Sequence, residues 1–556
     1  MNGLPGALFA LVLGAAGMLC LQRAALRLSP LFRDRQKATG NPSPAGDLIA
    51  ALAGMFLYLL FLLLTARPLS SLLLTLAAGV LLVSLNRVKE QILREPLVLV
   101  DVYLLPQVFR YPDLYFPFLP KTFLVVFFLG AALALVLLLC LEAPPAFLRS
   151  PPGMCLVIAP LAAVLVLYLQ MNKGGLARLN NVLLSACPVS HDAVKDAKVN
   201  GPLASALMHP LLAGKCRREG RDFLSAPDHR PTQSRWPEAF EREILQADLR
   251  ADNASNDRLT ASKACLRPFG GKDLSQSLQS ISSVKCSRAD NASNGCLTAS
   301  KACQHPDHAP HVVLLQAESF FDVRQHLSEA ARERLGDFLP NWDALVRENR
   351  ILPTPDSAFG AYTMRTEFEA LTGLGASALG PWAFNPYTLA ASRPMWSLAR
   401  HFKGLGYETL CLHPYHKGFF SRQKVIPNLG FDRFLSLDEL SGLPHFGPHT
   451  SDLALGEDIL RRLEASSSPL FCFVISMEAH GPWLPGRLRP SELQETLGDI
   501  DYSFFDESMQ LYLCHLRRMD HLFGLFRSWN TEGGDGKRQC ILWAYGDHAP
   551  ALRVVP

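Results

Sequence analysis

The chain has 556 residues, 49% of them hydrophobic and only 19% charged, with a formal net charge of +4 and a mean hydropathy of +0.13. Soluble domains carry about 25% charged residues, and at about 100–200 residues per domain the length calls for several units. Apolar runs crowd the part before residue 171 and ordinary globular composition returns after about residue 310, which excludes both a wholly soluble enzyme and a bare channel or carrier. No basic stripe with interleaved aromatics is present, so no nucleic-acid partner is implied.

In chain order, residues 4–21, 48–66, 69–85, 123–141 and 154–169 are apolar stretches long enough, or nearly so, to cross about 30 Å of hydrocarbon as helices. The first lacks the basic leader of a signal peptide and is followed by four more, so it reads as an anchor. Arg67-Pro68 marks a tight break, because proline cannot continue a helix ladder. The loop after the first span carries Arg23, Arg27, Arg33, Arg35 and Lys37, and the loop after the third carries Arg87, Lys89, Arg94, Arg110 and Lys121. The positive-inside rule puts both in the cytoplasm, and with five spans the C-terminal part would follow them. Residues 96–109, with Asp101 in their middle, read as an interfacial or re-entrant segment. Residues 1–171 are thus a membrane anchor.

Residues 172–310 form a polar connector. The spacing of Phe240, Ile244 and Leu245 predicts an amphipathic helix over residues 237–249. Arg250-Ala-Asp-Asn-Ala-Ser-Asn256 recurs at residues 288–294, and Leu259-Thr-Ala-Ser-Lys-Ala-Cys265 at 297–303. Two small, polar copies are too few for a solenoid and read as a duplicated, loosely ordered insertion. Cys187, Cys216, Cys265, Cys286, Cys296 and Cys303 are open to disulfide formation if the connector faces an oxidising compartment.

From residue 311 the pattern becomes short buried strands alternating with helices. Residues 311–317, 470–476 and 540–545 are continuous apolar runs suited to parallel strands, with helical patterns at 451–464 and 508–529. Such α/β sheets carry their sites beyond the carboxyl ends of the strands. There stand Glu318-Ser-Phe-Phe-Asp322, Met477-Glu-Ala-His480 and Gly546-Asp547-His548, oxygen and imidazole groups suited to a divalent metal. A glycine-containing approach over residues 359–373, with Thr363, Thr366 and Thr372, supplies hydroxyls just before a helix, and a helix N-terminus is an anion site. A threonine hydroxyl is a poor nucleophile at neutral pH, and metal coordination is one way to activate it.

These motifs, with Thr363-Met-Arg-Thr-Glu-Phe-Glu-Ala-Leu-Thr-Gly373, His413-Pro-Tyr-His-Lys-Gly-Phe-Phe-Ser-Arg422, Asn428-Leu-Gly-Phe-Asp432 and Tyr545-Gly-Asp-His-Ala-Pro550, resemble the lipoteichoic acid synthase and phosphoglycerol transferase family of the alkaline-phosphatase/sulfatase superfamily. The resemblance spans about residues 311–550 and extends to the multi-span anchor. It implies a multi-span α-helical membrane domain followed by an α/β sulfatase-like domain over residues 311–556. It also implies a divalent ion, Mn2+ or Mg2+, held by Glu318, Thr363, Asp547 and His548, with Thr363 as nucleophile. The implied donor is phosphatidylglycerol, the acceptor an envelope polymer or glucan, and Arg422, His480, Phe420 and His413 the substrate pocket. The implied setting is a bacterial inner membrane with the catalytic domain on the outer side, opposite to the charge-based placement.

Met364 and Arg365 depart from the family's usual small or polar residues, and the family continues beyond the equivalent of Pro556, so the domain reads either as a C-terminally shortened variant or as one whose end is missing. A phosphoethanolamine transferase is disfavoured by the lack of a Pro-Cys-Met stretch after Thr363, and a sulfatase by the lack of Cys-x-Pro-x-Arg. An inactive envelope-binding homologue, with neither metal nor turnover, is the alternative from another class.

Overall fold

The computed structural model describes residues 4–31, 43–115, part of 125–140, 142–190, 192–219, 309–348, 350, 358–359, 362–375, 379–532 and 538–552. Among them, four helices are long and apolar enough to span a bilayer: α1 (Leu4–Leu28), α2 (Pro44–Thr65), α3 (Pro68–Leu93) and α4 (Pro151–Asn172). The expected span at 123–141 lies largely outside the described residues, as do the 237–249 helix and both repeat copies. The α2–α3 break falls where the sequence put it. Ala66 caps α2 in a left-handed conformation, Arg67 is extended and Pro68 opens α3.

Close helix approach uses small residues, which allow packing where lipid supplies no hydrophobic drive. A Cβ on Gly54 would lie 2.8 Å from the Gly14 carbonyl oxygen, and one on Gly79 would lie 2.5 Å from Leu21. Outward-facing Phe9, Val12, Leu64 and Val164 are exposed, as lipid-facing positions are. The Arg23–Asp47 ion pair (2.6 Å) joins the end of α1 to the start of α2. At the opposite end, the Glu142 carboxylate accepts from the Leu69 and Ser70 amides at 2.7 Å, closing the N-terminus of α3. The start of the connector is helical, with Ala177–Ala186, Ala193–Asn200 and Pro202–Arg218. Its Cys187 and Cys216 are buried, and the other four connector cysteines fall outside the described residues.

The C-terminal part is built on β1 (His311–Ala317), β2 (Ala358–Phe359), β3 (Glu408–Leu412), β4 (Arg433–Leu435), β5 (His445–Phe446), β6 (His449–Thr450), β7 (Leu470–Ile475), β8 (Cys540–Gly546) and β9 (His548–Ala549). Its main sheet has the order β4-β3-β7-β1-β8, with every neighbouring pair parallel. Both faces are covered, which is why β1 and β7 read as unbroken apolar runs. Val313, Leu315, Cys472 and Val474 pack under Asp452–Ala465 and Glu507–Glu532. Val312, Leu314, Phe471 and Phe473 pack under Thr363–Thr372, Leu398–Gly404 and Arg422–Asn428. The architecture is therefore apolar spanning helices followed by an α/β domain with a parallel sheet.

Residues 94–111 make an elbow from α3 onto this domain. Arg94 turns the chain in a left-handed conformation (φ 55°), and the short helices Leu99–Leu104 and Leu105–Arg110 follow. The region expected to be interfacial therefore packs on protein: Glu95 pairs with Arg365 (2.7 Å) and Tyr111 stacks on His416 (5.4 Å between centroids). Lys89 and Arg94 thus share the α/β domain's side. α1 runs alongside α3 in the same direction, since Gly14 faces Thr75, Gly17 faces Leu76 and Leu21 faces Gly79, so Arg23 and Arg27 lie on that side too. Charge bias and family resemblance therefore point to opposite placements of one and the same face.

Candidate active site

The parallel register brings the chemistry to one edge. Ala317 pairs with Gly546 across β1 and β8, so Glu318 and Asp547 leave adjacent strand ends together. Gly546 permits this closeness, because a Cβ there would lie 2.0 Å from the Phe320 carbonyl oxygen. Ser319 takes a left-handed conformation (φ 53°). Its amide donates to Asp547 Oδ1 (2.8 Å) and its hydroxyl to Glu318 Oε1 (2.9 Å). The ligand atoms of Glu318, Asp547 and His548, all buried, lie within 4.8 Å of one another.

His548 Nδ1 faces the Ala549 carbonyl oxygen at 3.2 Å, and a carbonyl only accepts, so Nδ1 carries the hydrogen. The Nε2 lone pair then points at Glu318 Oε1 (3.5 Å) and Asp547 Oδ2 (3.3 Å), and that Oδ2 is buried with no hydrogen-bond partner. Burial first, and the Asp547 charge second, push the Glu318 carboxyl well above the usual carboxylate range. Lone pairs and carboxylates converging without a donor are repulsive, and a divalent cation relieves that. The donor set therefore fits a metal of the hard or borderline class.

Thr363 is brought to the same edge by the β2–β9 ladder, in which Ala358 pairs with His548. Its helix is also tied to the cluster, since the Thr366 hydroxyl donates to the Asp547 carbonyl oxygen at 2.8 Å. Tyr362, left-handed before the helix (φ 71°), makes no side-chain cap, and its carbonyl oxygen accepts from the Arg365 amide (2.7 Å), which leaves the Thr363 and Met364 N–H groups at the helix start. These are the donors an anion meets at a helix N-terminus.

The sequence-derived pocket residues gather around this edge in two ways. His413 donates from Nδ1 to the Ile475 carbonyl oxygen (3.1 Å) and keeps an unpartnered, buried Nε2. Burial and then the Arg422 charge hold its pKa well below that of free histidine. His480 donates from Nδ1 to the Gly481 carbonyl oxygen (2.7 Å), and burial lowers its pKa to about 4. Both rings are therefore neutral near pH 7 and offer Nε2 as an acceptor. Phe420 lies 5.2 Å from the Arg422 guanidinium, ring centroid to Cζ.

Arg422 is not the solvated arginine its sequence position allows. It is 1% exposed and locked to Glu367, itself fully buried. Its Nε donates to Glu367 Oε2 at 3.1 Å and its Nη2 to Oε1, while Nη1 is buried without a partner. The Glu367 carboxylate also accepts from the Tyr387 hydroxyl and from Gln316 Nε2 (3.3 Å). Glu367 was missed at the sequence level although a signal exists. Met364, Glu367, Phe368 and Leu371 share one helix face, and all four are buried, so an acid stands inside an apolar stripe.

A second missed group underlies the His480 loop. Glu478 accepts from the Asp452 amide (2.8 Å), His515 Nδ1 (3.1 Å) and Arg518 Nε (2.7 Å). His515 is buried in this network. The His449 ring lies 6.2 Å from that of His480.

Comparisons with known proteins agree with this picture. The Sulfatase family model matches residues 310–554. A Rhizobium meliloti protein named for cyclic beta-1,2-glucan modification is 29% identical over 247 residues, 44% of this chain and 36% of that protein. The capsular polysaccharide biosynthesis protein RkpI of the same organism is 30% identical over 253 residues, 44% of this chain and 42% of its own length. The matches thus span well under half of these curated relatives. Among solved structures, the lipoteichoic acid synthase LtaP from Listeria monocytogenes is 20% identical over 44% of this chain and 58% of that chain, with a TM-score of 0.35. Residues 310–554 thus form a sulfatase-like α/β domain, joined in this chain to apolar N-terminal helices.

Proposed function

We propose that the chain is a membrane-bound transferase moving phosphoglycerol from phosphatidylglycerol to an envelope polysaccharide or glucan through a Thr363-linked intermediate. The observation that carries this reading is the buried Glu318–Asp547–His548 cluster at the strand edge to which Ala358 and the Thr363 helix are tied. Glu318, Thr363, Asp547 and His548 would hold the ion, Mn2+ or Mg2+. When bound, it supplies a positive charge that stabilises the threonine alkoxide and the phosphoryl oxygens.

In the first step the Thr363 oxygen attacks phosphorus, the bond from phosphorus to the diacylglycerol oxygen breaks, and diacylglycerol leaves as the alcohol with a proton. In the second, an acceptor hydroxyl attacks the Thr363-linked phosphoglycerol, loses its proton, and releases the threonine. The unpartnered Nη1 of Arg422 suits a phosphate oxygen. The neutral Nε2 atoms of His413 and His480 suit the glycerol hydroxyls as acceptors. The relatives named for glucan modification and capsular polysaccharide biosynthesis favour a carbohydrate acceptor. This reading puts the domain on the outer side of the inner membrane, against the basic residues on the same face.

The test uses the purified full chain in lipid nanodiscs with labelled phosphatidylglycerol and Mn2+. Wild type should release diacylglycerol and Thr363→Ala should not; no release by wild type refutes the reading. A reporter fused after residue 310 should be active only outside the cytoplasm.

A further inference from the structure

Two parts of the site, the turn before Thr363 and the loop before Arg422, hold their backbone in conformations that ordinary side chains resist. Tyr362 (φ 71°), Phe420 (φ 51°) and Ser421 (φ 58°) are all left-handed non-glycine residues. Each such residue is strained by its side chain and persists only where its surroundings over-determine it. At both places the surroundings include the elbow that leaves α3.

The Tyr362 ring is held from three directions. Its hydroxyl donates to Asp101 Oδ1 (3.1 Å), the Arg365 guanidinium stacks on it at 3.9 Å, and Lys89 Nζ approaches to 5.4 Å. Asp101 is fixed in turn, because its Oδ2 accepts from Lys89 Nζ (2.6 Å) and from the Val98 amide (2.9 Å). Arg365 is fixed by Glu95 Oε1 (2.7 Å) and the Phe384 carbonyl oxygen (3.1 Å). Two cations and two anions surround one buried ring, in charge balance. Further along the elbow, Gln107 Oε1 accepts from the Phe420 amide (3.3 Å). Tyr111 packs edge-on against Phe419 (5.4 Å between centroids).

We propose that the elbow, residues 95–111, is a positioning element of the active site. Glu95 and Asp101 set the Thr363 turn through Arg365 and Tyr362, while Gln107 and Tyr111 set the Phe420–Arg422 loop. The proposal rests on Thr363 being the nucleophile. It assigns a role to Arg365, which departs from the family's pattern, and to an apolar segment with no chemistry of its own. Asp101 and Glu95 act through Tyr362, next to the nucleophile, and Arg365, two residues beyond it. A displacement of about 1 Å at a reacting atom can cost about 100-fold in rate, so part of that range is the expected effect.

The test compares full-chain wild type with Tyr362→Phe, Asp101→Asn, Glu95→Arg, Arg365→Glu and the double charge swap Glu95→Arg/Arg365→Glu. Amide hydrogen exchange over Thr363–Thr372 is the first readout, with β1 as internal control. Diacylglycerol release, split into kcat and KM, is the second. Each single variant should raise exchange at the start of that helix about tenfold with β1 unchanged, and lower kcat about tenfold with KM within about twofold. The swap should return both readouts to within about threefold of wild type. Unchanged exchange and kcat in the single variants, or a swap no better than its singles, overturns the proposal. A wild type that exchanges as expected but releases no diacylglycerol refutes the transferase reading, and the exchange arm still decides the positioning.

Discussion

Replacing Glu367 by glutamine tests the buried pair that aims Arg422. The substitution keeps the shape of the side chain but removes the charge opposite a guanidinium that is 1% exposed. It also puts an NH2 group against donors, since Arg422 Nε and Nη2, the Tyr387 hydroxyl and Gln316 Nε2 all point at the carboxylate. Breaking one side of a buried pair costs about 3–5 kcal/mol, because the remaining charge stays dehydrated and uncompensated. For a domain of this size, about 2–4 °C per kcal/mol gives a midpoint roughly 6–20 °C lower. Tryptophan fluorescence of the full chain in micelles, followed on heating, reads this directly. The double variant Glu367→Leu/Arg422→Met removes both charges and should recover at least half of that loss, with Tyr387 and Gln316 left short of a partner at about 1–3 kcal/mol. It should not recover diacylglycerol release, because the phosphate donor is gone. A Glu367→Gln midpoint within about 1 °C of wild type, or a double variant as unstable as the single, refutes the argument.

Gly546→Ala should destabilise by about 2–3 kcal/mol and abolish turnover, since its Cβ meets the Phe320 backbone at 2.0 Å; the thermal midpoint and diacylglycerol release check this. Adding Mn2+ at 100 times its dissociation constant should stabilise the chain by about 2.7 kcal/mol, chelation should reverse it, and Asp547→Asn should remove the response, all read by calorimetry. His311 Nδ1 accepts from the Leu470 amide (3.1 Å), and burial, then Arg538, lower its pKa from 6.5 to about 4. Its neutral form is the folded one, so its contribution is full above pH 6.5 and is lost as pH falls towards 4. The loss is on the order of 2 kcal/mol, and His311→Gln should flatten the denaturant midpoint over that window.

What the sequence revealed depended on whether a residue's role is local. β1 and β7 were legible because a strand covered on both faces must be apolar throughout, and β8, half-buried at the sheet edge, still carries an apolar run. β3 also lies inside the sheet, with strands on both sides, but it is short and carries Glu408 and Thr409, so no run announced it. Glu318, Asp547 and His548 stood out as polar groups directly after apolar strands. Glu367 did not, because its partner Arg422 is 55 residues away and its own segment reads as an ordinary helix. The elbow was the least legible. Asp101 contacts Tyr362 across 261 residues, and an apolar stretch next to a span suggests lipid before it suggests protein.

The parallel pairing of β1 with β8 also sets a schedule for synthesis. Tyr545 lies 229 residues after its partner Gln316, and at about 5–20 residues per second that separates them by roughly 10–50 s. Throughout that interval the edge of β1 destined for β8 has no strand beside it, and Glu318 has neither Asp547 nor His548 to share an ion with. The apolar N-terminal helices emerge before the interval begins. The Glu318–Asp547–His548 cluster is therefore completed late in the synthesis of each new chain, and the open β1 edge before it is where a sticky, unfinished molecule would present itself to chaperones or to its neighbours.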